Sequence, residues 1–161
     1  ILGFAELIKS EASEPDAQEY ADVIMNSGTH LLNLVNEILD LSKIEAGELS
    51  FNYQSTPLKS LLNEAAMAHQ STASAKQLSL TLELAETLPE TIETDPTRLL
   101  QILNNLLSNA VKFTEQGSIT VSVIRSGSDI AFAVADTGPG IPPEAREQVF
   151  EKFKQLETFR C

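Results

Sequence analysis

The feature that most constrains this fold is a long stretch of helical periodicity near the start of the chain. Between residues 17 and 44, apolar side chains recur at spacings of three, four and seven over about four heptads. The stripe comprises Ala21, Ile24, Leu31, Leu34 or Val35, Ile38 and Leu41, with Gly28 and Ser42 on the same face. It predicts a helix from about Ala17 to Ile44 in a helical hairpin or coiled coil. Ala46-Gly47 predicts the end of that helix.

A second, shorter helix is predicted before this one. Residues 1–12 carry apolar side chains at helical spacing, namely Ile1, Phe4, Ala5, Ile8 and Ala12. A turn is predicted at residues 13–16, so residues 1–46 form a helical hairpin. Because its apolar stripe is longer than one short helix can cover, we expect the hairpin to form a symmetric homodimer.

From residue 47 onwards, strand and helix patterns alternate. Strands are predicted at Leu49–Tyr53, Leu78–Leu84, Ile119–Val123 and Ile130–Val134, the last two forming a hairpin across Ser126–Asp129. Helices are predicted from Pro57 to about Ser71, and from Asp95-Pro96 to a stop at Gln116-Gly117. The sequence therefore predicts an α+β fold, with a helical hairpin over residues 1–46 and a mixed α/β sandwich over residues 47–161.

Charge and composition exclude several classes of function. The formal net charge of −12 argues against a nucleic-acid or anionic-membrane binder, which needs basic surface. It does not argue against a nucleotide held by backbone amides, one lysine and a metal ion. Cys161 is the only cysteine, which excludes an internal disulfide and fits a reducing cytoplasm. No apolar run approaches the roughly 20 residues of a membrane span.

The helix that begins at Asp95 carries the first candidate site. Its predicted apolar arc comprises Leu99, Ile102, Leu103, Leu106, Ala110 and Phe113. Asn105, Asn109 and Lys112 share a second face at the border of this arc. Amide oxygens can enter the shell of Mg²⁺, and a lysine supplies a point charge for phosphate. Spacing alone leaves open a second interpretation, an ordinary polar helix edge.

The segment Asp136–Pro142 follows a predicted strand and contains Gly138 and Gly140. Two glycines at this spacing let the backbone turn tightly and approach a flat ligand, and Asp136 could accept a hydrogen bond from an exocyclic amine. An ordinary Gly-Pro turn is the alternative. The patterns of P-loop and dinucleotide-binding sites are absent.

Taken together, these segments are similar to the two-component sensor histidine kinases. Asp95–Thr114 resembles their asparagine box, Ala135–Pro142 their first glycine box, and Val149–Gln155 their phenylalanine box. Leu31–Gly47 resembles the second helix of their dimerisation and phosphotransfer hairpin. The resemblance covers nearly the whole chain in the family's order. It implies a Bergerat-type ATP-binding fold that is truncated at its C-terminus.

The resemblance also implies roles for individual residues. Asn109 would coordinate Mg²⁺ and Asn105 would support the metal and the phosphates. Lys112 would bind phosphate and Phe113 would pack near adenine. Asp136 would accept a hydrogen bond from the adenine amine. The remaining implied positions are those in the floor of the ATP pocket, Gly138, Gly140 and Ile141, and those at the start of a mobile lid, Phe150 and Phe153.

Two departures from the family's pattern accompany these roles. The family's phosphoacceptor histidine would lie before Ile1, and its second glycine-rich box and later strands would lie beyond Cys161. His30 and His69 are interpreted as structural or surface histidines. We therefore expect an inactive fragment, with any membrane anchor in the missing parts of the parent.

The implied activity of the parent is transfer of the γ-phosphoryl group of ATP to its own histidine, and then to an aspartate of a response-regulator receiver domain. An ATPase with the same pocket is one alternative, but it would need a glutamate at the position of Asn105 to activate water. A non-catalytic dimerisation module is the other, and the intact asparagine and glycine boxes weigh against it.

Overall fold

A computed structural model of the chain describes residues 1–3, 5, 8 and 15–146. It divides into two compact units, one formed by the described residues up to Phe51 and one by those from Asn52 onwards. The predicted domain boundary between residues 46 and 47 stays a prediction. The phenylalanine-box segment Val149–Gln155, with Phe150 and Phe153, lies outside the described residues.

The first unit contains the predicted long helix. Leu2, Gly3, Ala5 and Ile8 are helical, and helix α1 runs over Pro15–Glu45, two residues earlier than the predicted start. Gly47 ends it with a φ of 70°. The Glu48 amide donates to the Lys43 carbonyl at 2.9 Å and the Gly47 amide to that of Ile44 at 3.1 Å, which is a Schellman motif. No helix within the described ranges is both long and apolar enough to cross a bilayer.

Small residues allow close packing inside this unit. Ala5 and Ala21 are buried. A Cβ atom added to Gly28 would lie 2.5 Å from Leu2 Cδ2, so the two segments approach each other too closely for a side chain at residue 28. Five further apolar residues of the predicted stripe are exposed in a single chain, namely Ile24, Leu31, Leu34, Val35 and Ile38, whereas Leu41 is half-buried. The apolar face is therefore left available to another copy or partner.

The second unit comprises five strands, two helices and a 3₁₀ turn within its described residues. In chain order they are β1 (Gln54–Pro57), α2 (Leu58–Ala75), β2 (Ser79–Leu84), β3 (Thr91–Thr94), α3 (Pro96–Phe113), β4 (Ser118–Ser126), β5 (Asp129–Asp136) and the turn Pro143–Ala145. β1 pairs with β3 antiparallel. β2 pairs with β4 in parallel, and β4 with β5 antiparallel, giving a three-stranded sheet in the order β2-β4-β5.

The core of this unit lies between the two helices and one face of the larger sheet. Leu82, Val121 and Val134 are neighbours across the three strands and point to the same face. The innermost side chains from the helices are Leu58, Leu62, Leu103 and Leu107. The strand near residues 78–84 and the hairpin of β4 and β5 are confirmed. The two predicted helices are also confirmed, but their bounds differ. α2 begins at Leu58 and ends at Ala75, beyond the predicted end near Ser71, and α3 ends at Phe113, before the predicted stop at Gln116-Gly117.

The strand predicted at Leu49–Tyr53 is wrong. These residues have no regular structure, and the strand is Gln54–Pro57. Its partner β3 was not predicted, and Gln54 pairs with Thr94. The Asn52 amide instead donates to Asp95 Oδ2 at 2.9 Å. The segment therefore becomes a strand only where β3 supplies a partner.

The apolar arc predicted for α3 is also partly wrong. Its buried face comprises Leu103, Leu107, Ala110 and Val111, whereas Ile102, Leu106 and Phe113 are exposed. On the helix surface these three lie between the buried face and the face of Asn105 and Asn109. Apolar residues placed there extend the periodic pattern without entering the core, which leaves an exposed strip beside the amides.

The C-terminal end of α2 gives a prediction about stability. Gln77 has a φ of 59°, its amide donates to the Ser74 carbonyl at 2.9 Å, and the Leu78 amide donates to that of Ala73 at 2.9 Å. This geometry favours glycine, because a Cβ atom is strained in the left-handed region. We expect Gln77→Gly to raise the free energy of unfolding by about 1 kcal/mol in urea titrations. Gln77→Ala keeps the Cβ atom and should give no such gain. Equal stability of the two variants would contradict strain from the Cβ atom at this position.

Candidate nucleotide-binding site

Helix α3 is fixed at its start by Asp95. This nearly buried side chain accepts a hydrogen bond from the Arg98 amide at 3.1 Å through Oδ1, and from the Asn52 amide at 2.9 Å through Oδ2. Asp95 is the N-cap, and Pro96 follows at the first helical position. The Asn52 amide and then the Arg98 amide lower the pKa of the Asp95 carboxyl below its ordinary value.

The lowered pKa of Asp95 predicts a pH dependence of stability. The stability that the ionised Asp95 carboxyl contributes is complete above the ordinary, unfolded-state pKa of an aspartate, and it is lost as the pH falls through the lower folded-state pKa. Asp95→Asn keeps a good N-cap residue but removes the charge. We expect this variant to be less stable at neutral pH and to lose less stability on acidification below pH 4 or so. If the free energy of unfolding of Asp95→Asn and of wild type fell in parallel with pH, the stabilising role of the Asp95 charge would be contradicted. Glu93→Gln, which removes an exposed carboxylate, is the control.

The amide face of α3 carries the polar residues predicted for phosphate and metal. Asn105, Asn109 and Lys112 are exposed on the second half of the helix. Neither Asn105 nor Asn109 has a side-chain hydrogen bond to any residue that the structure describes. The Lys112 ammonium lies 5.0 Å from the centre of the Phe113 ring. The two amides and the cation are thus available to a ligand.

The neighbouring Asn104 has a different role. Its Oδ1 lies 3.1 Å from Nε2 of His69 on α2, so it links the two helices. Adjacent asparagines of one helix therefore face different surroundings. His69 is engaged in this partly buried contact.

At the end of β5, Asp136 and Gly138 lie against the C-terminal end of α3. Asp136 Oδ1 accepts from the Gly138 amide at 2.8 Å and from the Thr114 hydroxyl at 3.5 Å, and Thr114 is fully buried. A Cβ atom added to Gly138 would lie 2.7 Å from Asp136 Oδ1 and 3.1 Å from the Phe113 carbonyl oxygen. The structure therefore brings the Asp136 carboxylate and the last turn of α3 together with the glycine loop, which is the segment Asp136–Pro142. There is no space for a side chain at residue 138.

Thr114, Thr137 and Gly117 are site-building residues that the sequence analysis missed. The Thr137 hydroxyl donates to the Gln116 carbonyl at 3.1 Å and accepts from the Ser118 amide at 3.0 Å. Gly117 has a φ of 110°, and an added Cβ atom would overlap Thr137 Oγ1. The turn after α3 and the glycine loop are thus joined. In the sequence, Thr114 directly follows Phe113 and Thr137 directly follows Asp136. These positions next to two predicted site residues are the signal that could have identified both threonines.

The other two predicted positions lie further along the same loop. Gly140 has a φ of 71°, in the left-handed region that glycine adopts readily. Ile141 is exposed. Both belong to the segment that leads from the end of β5 to the 3₁₀ turn at Pro143–Ala145.

The donor set decides which metal could bind. In the described part of the chain, no group of three or more His, Cys, Asp or Glu side chains could hold an ion. A metal at the amide face would therefore have one or two protein amide oxygens and would take its other ligands from phosphate and water. Mg²⁺ fits such a set, since it prefers oxygen ligands and retains several waters.

Two family models match the chain. The family "His Kinase A (phospho-acceptor) domain" matches residues 1–47. The family "Histidine kinase-, DNA gyrase B-, and HSP90-like ATPase" matches residues 94–160, which include α3 and the glycine loop. The matches thus fall on the helical unit and on the candidate site.

Similar proteins cover almost the whole chain. The circadian input-output histidine kinase CikA of Synechococcus elongatus is 45% identical over 88% of this chain and 19% of its own length. The aerobic respiration control sensor protein ArcB homolog of Haemophilus influenzae is 36% identical over 99% of this chain and 49% of its own length. The chain therefore spans between about a fifth and about a half of the length of these curated relatives.

The fold agrees with this relationship. The crystal structure of full-length ShkA in complex with AMPPNP superposes with a TM-score of 0.79 and 34% identity, over 96% of this chain and 34% of that one. The two family models, the relatives and this structure all agree with the motifs described above. The chain belongs to the sensor histidine kinases, with a phosphoacceptor-type helical region followed by a histidine kinase-type ATPase region.

Proposed function

We propose that this chain binds ATP with Mg²⁺ and dimerises through its helical hairpin, as the cytoplasmic portion of a longer kinase. That kinase transfers the γ-phosphoryl group of ATP to one of its own histidines and then to an aspartate of a response-regulator receiver domain. The observation that carries the proposal is the Asp136 carboxylate held by Gly138 and Thr114 at the end of α3. ShkA, which has the similar fold, was solved with AMPPNP.

Adenine recognition is assigned to Asp136 and the apolar strip of α3. A carboxylate accepts hydrogen bonds only, so it suits the amine of adenine and opposes the oxygen that guanine carries at the same position. Because Oδ1 already accepts two hydrogen bonds, Oδ2 is the atom assigned to the base. Exposed Leu106 and Phe113 supply apolar surface for a flat ring. Gly138, Gly140 and Ile141 form the floor of the pocket.

The phosphates and the metal are assigned to the amide face. Asn109 supplies an oxygen to Mg²⁺, Asn105 supports the metal and the phosphates, and Lys112 binds phosphate as a point charge. When bound, Mg²⁺ neutralises charge on the phosphates. Phosphoryl transfer depends chiefly on such positioning and charge neutralisation, which is what these side chains provide.

Nucleotide titration tests this proposal. We expect ATP and ADP to bind this chain with similar, weak affinity, because the phosphates stay largely solvated at an exposed amide face. GTP should bind at least about tenfold more weakly, since the guanine oxygen would face the Asp136 carboxylate. Calorimetry with and without Mg²⁺ measures both differences. Equal affinity for ATP and GTP would exclude Asp136 as the base-reading group.

The phosphoacceptor is assigned to a histidine N-terminal to Ile1 in the longer protein. A phosphoacceptor needs exposure and a neighbouring acid that takes its proton. His30 is exposed on α1, but Leu31 and Leu32 follow it, and His69 contacts Asn104.

We therefore expect neither His30 nor His69 to be phosphorylated by the intact parent kinase with γ-labelled ATP. Acid-labile label should appear only when the chain is extended upstream of Ile1. Stoichiometric phosphohistidine at His30 would show that this chain is itself an acceptor.

A further inference from the structure

The last carbonyl groups of α3 receive their hydrogen bonds mostly from outside the helix. The final four carbonyls of a helix have no partner within it. The Ala110 carbonyl accepts from the Thr114 amide at 3.0 Å. The Lys76 ammonium donates to the Val111 carbonyl at 2.6 Å and to the Lys112 carbonyl at 3.1 Å. One side chain on another element thus satisfies two of the four.

Lys76 is well placed for this contact. It is the C-cap of α2, where its amide donates to the Thr72 and Ala73 carbonyls, and Gln77 then reverses the chain. Its position is therefore fixed by backbone geometry before the side chain extends. A cation at the C-terminal end of α3 also interacts favourably with the helix dipole. Seven residues earlier, His69 contacts Asn104, so α2 holds α3 at two points.

We propose that Lys76 is a positioning residue for the nucleotide site, a role that rests on the proposed function. Its ammonium fixes the peptide groups of Val111 and Lys112. The side chain of Lys112 is assigned to phosphate, and Thr114, two residues on, contacts Asp136. Without Lys76, two carbonyls lose their donor and the last turn of α3 frays. Both ends of the nucleotide site then shift together.

Nucleotide affinity gives the first test, below the melting temperature of every variant. Lys76→Met keeps an unbranched side chain but has no donor, and we expect about tenfold weaker ATP binding. Lys76→Arg, which restores a charged donor, should bind within about threefold of wild type. Lys59→Met, the same charge change at an exposed lysine of α2, is the control. Wild-type affinity in Lys76→Met, or an equal loss in Lys59→Met, would overturn the proposal.

A double-mutant cycle separates positioning from a general loss of charge. If Lys76 acts through the last turn of α3, Lys112→Met should weaken binding at least about threefold less in the Lys76→Met background than in wild type. If Lys112→Met weakened ATP binding by the same factor in both backgrounds, the two residues would act independently and the proposal would be overturned.

Amide hydrogen exchange in the nucleotide-free protein tests the same contact without any ligand. In Lys76→Met the Thr114 amide should exchange about tenfold faster, while that of Leu103 in the middle of α3 stays unchanged. Unchanged exchange at Thr114 would refute the positioning role. If wild type fails to bind any nucleotide, the proposed function is wrong, and the exchange result still decides what Lys76 does.

Discussion

Replacing Asp136 by asparagine is expected to lower the affinity for ATP by about a hundredfold. The variant should preserve the loop, because an asparagine Oδ1 can still accept from the Gly138 amide and the Thr114 hydroxyl. What changes is the second atom, which becomes an amide nitrogen and presents donors to the donor amine of adenine. A charge-assisted hydrogen bond is thus replaced by an unfavourable pairing.

Titration calorimetry of ATP into this chain, or into the longer kinase, measures the change. Asp129→Asn is the matched control, since Asp129 is exposed at the opposite end of β5. Equal melting temperatures would establish that the loss is local. Unchanged affinity in Asp136→Asn would exclude this carboxylate from the binding site.

Replacing both Leu34 and Ile38 by glutamate is expected to abolish the dimer. The two side chains lie one turn apart on the apolar face of α1, and are 41% and 52% exposed in the single chain. In a symmetric dimer this face is buried against its copy, so the change would bury four unpaired charges. Burying one unpaired charge costs several kcal/mol. The four charges together therefore cost more free energy than the burial of apolar surface in the helical interface supplies.

Sedimentation at increasing protein concentration measures this effect. Wild type should associate reversibly, and the double variant should remain monomeric. Thr29→Glu with Asn36→Glu is the control, because both positions are exposed on the opposite face of α1 and carry the same added charge. Wild-type protein that is only monomeric at high micromolar concentration would contradict the homodimer, as would a double variant that still dimerises.

The elements predicted correctly are those whose signals are local. Helix α1 carries its periodicity in its own sequence, α3 begins at an Asp-Pro cap, and the hairpin of β4 and β5 has its turn within the segment. The small sheet of β1 and β3 lacks such signals. Its strands have four residues each and are far apart in the chain, so pairing and the Asn52–Asp95 bond decide where β1 begins.

The sequence nominates the residues of the candidate site but does not predict the contacts that hold them in place. An exposed apolar residue at the border of the buried face continues the same helical periodicity as one in the core, so the predicted apolar arc wrongly includes Ile102 and Leu106. The contacts of Lys76 with α3 and of Thr137 with the turn before β4 join residues more than fifteen positions apart. Spacing within one motif carries no information about such pairs.

Chemical-shift mapping with Mg²⁺ and AMPPNP tests the central claim most directly, because it locates the nucleotide on the chain. We expect the largest perturbations at the amides of Gly138 and Gly140 and at the side-chain amides of Asn105 and Asn109. A cavity of about 540 Å³ elsewhere in the second unit, between Pro57 and the Leu88-Pro89 segment, serves as the internal alternative. Perturbations confined to that cavity, or none at saturating nucleotide, would contradict a nucleotide site at the junction of α3 and the loop after β5.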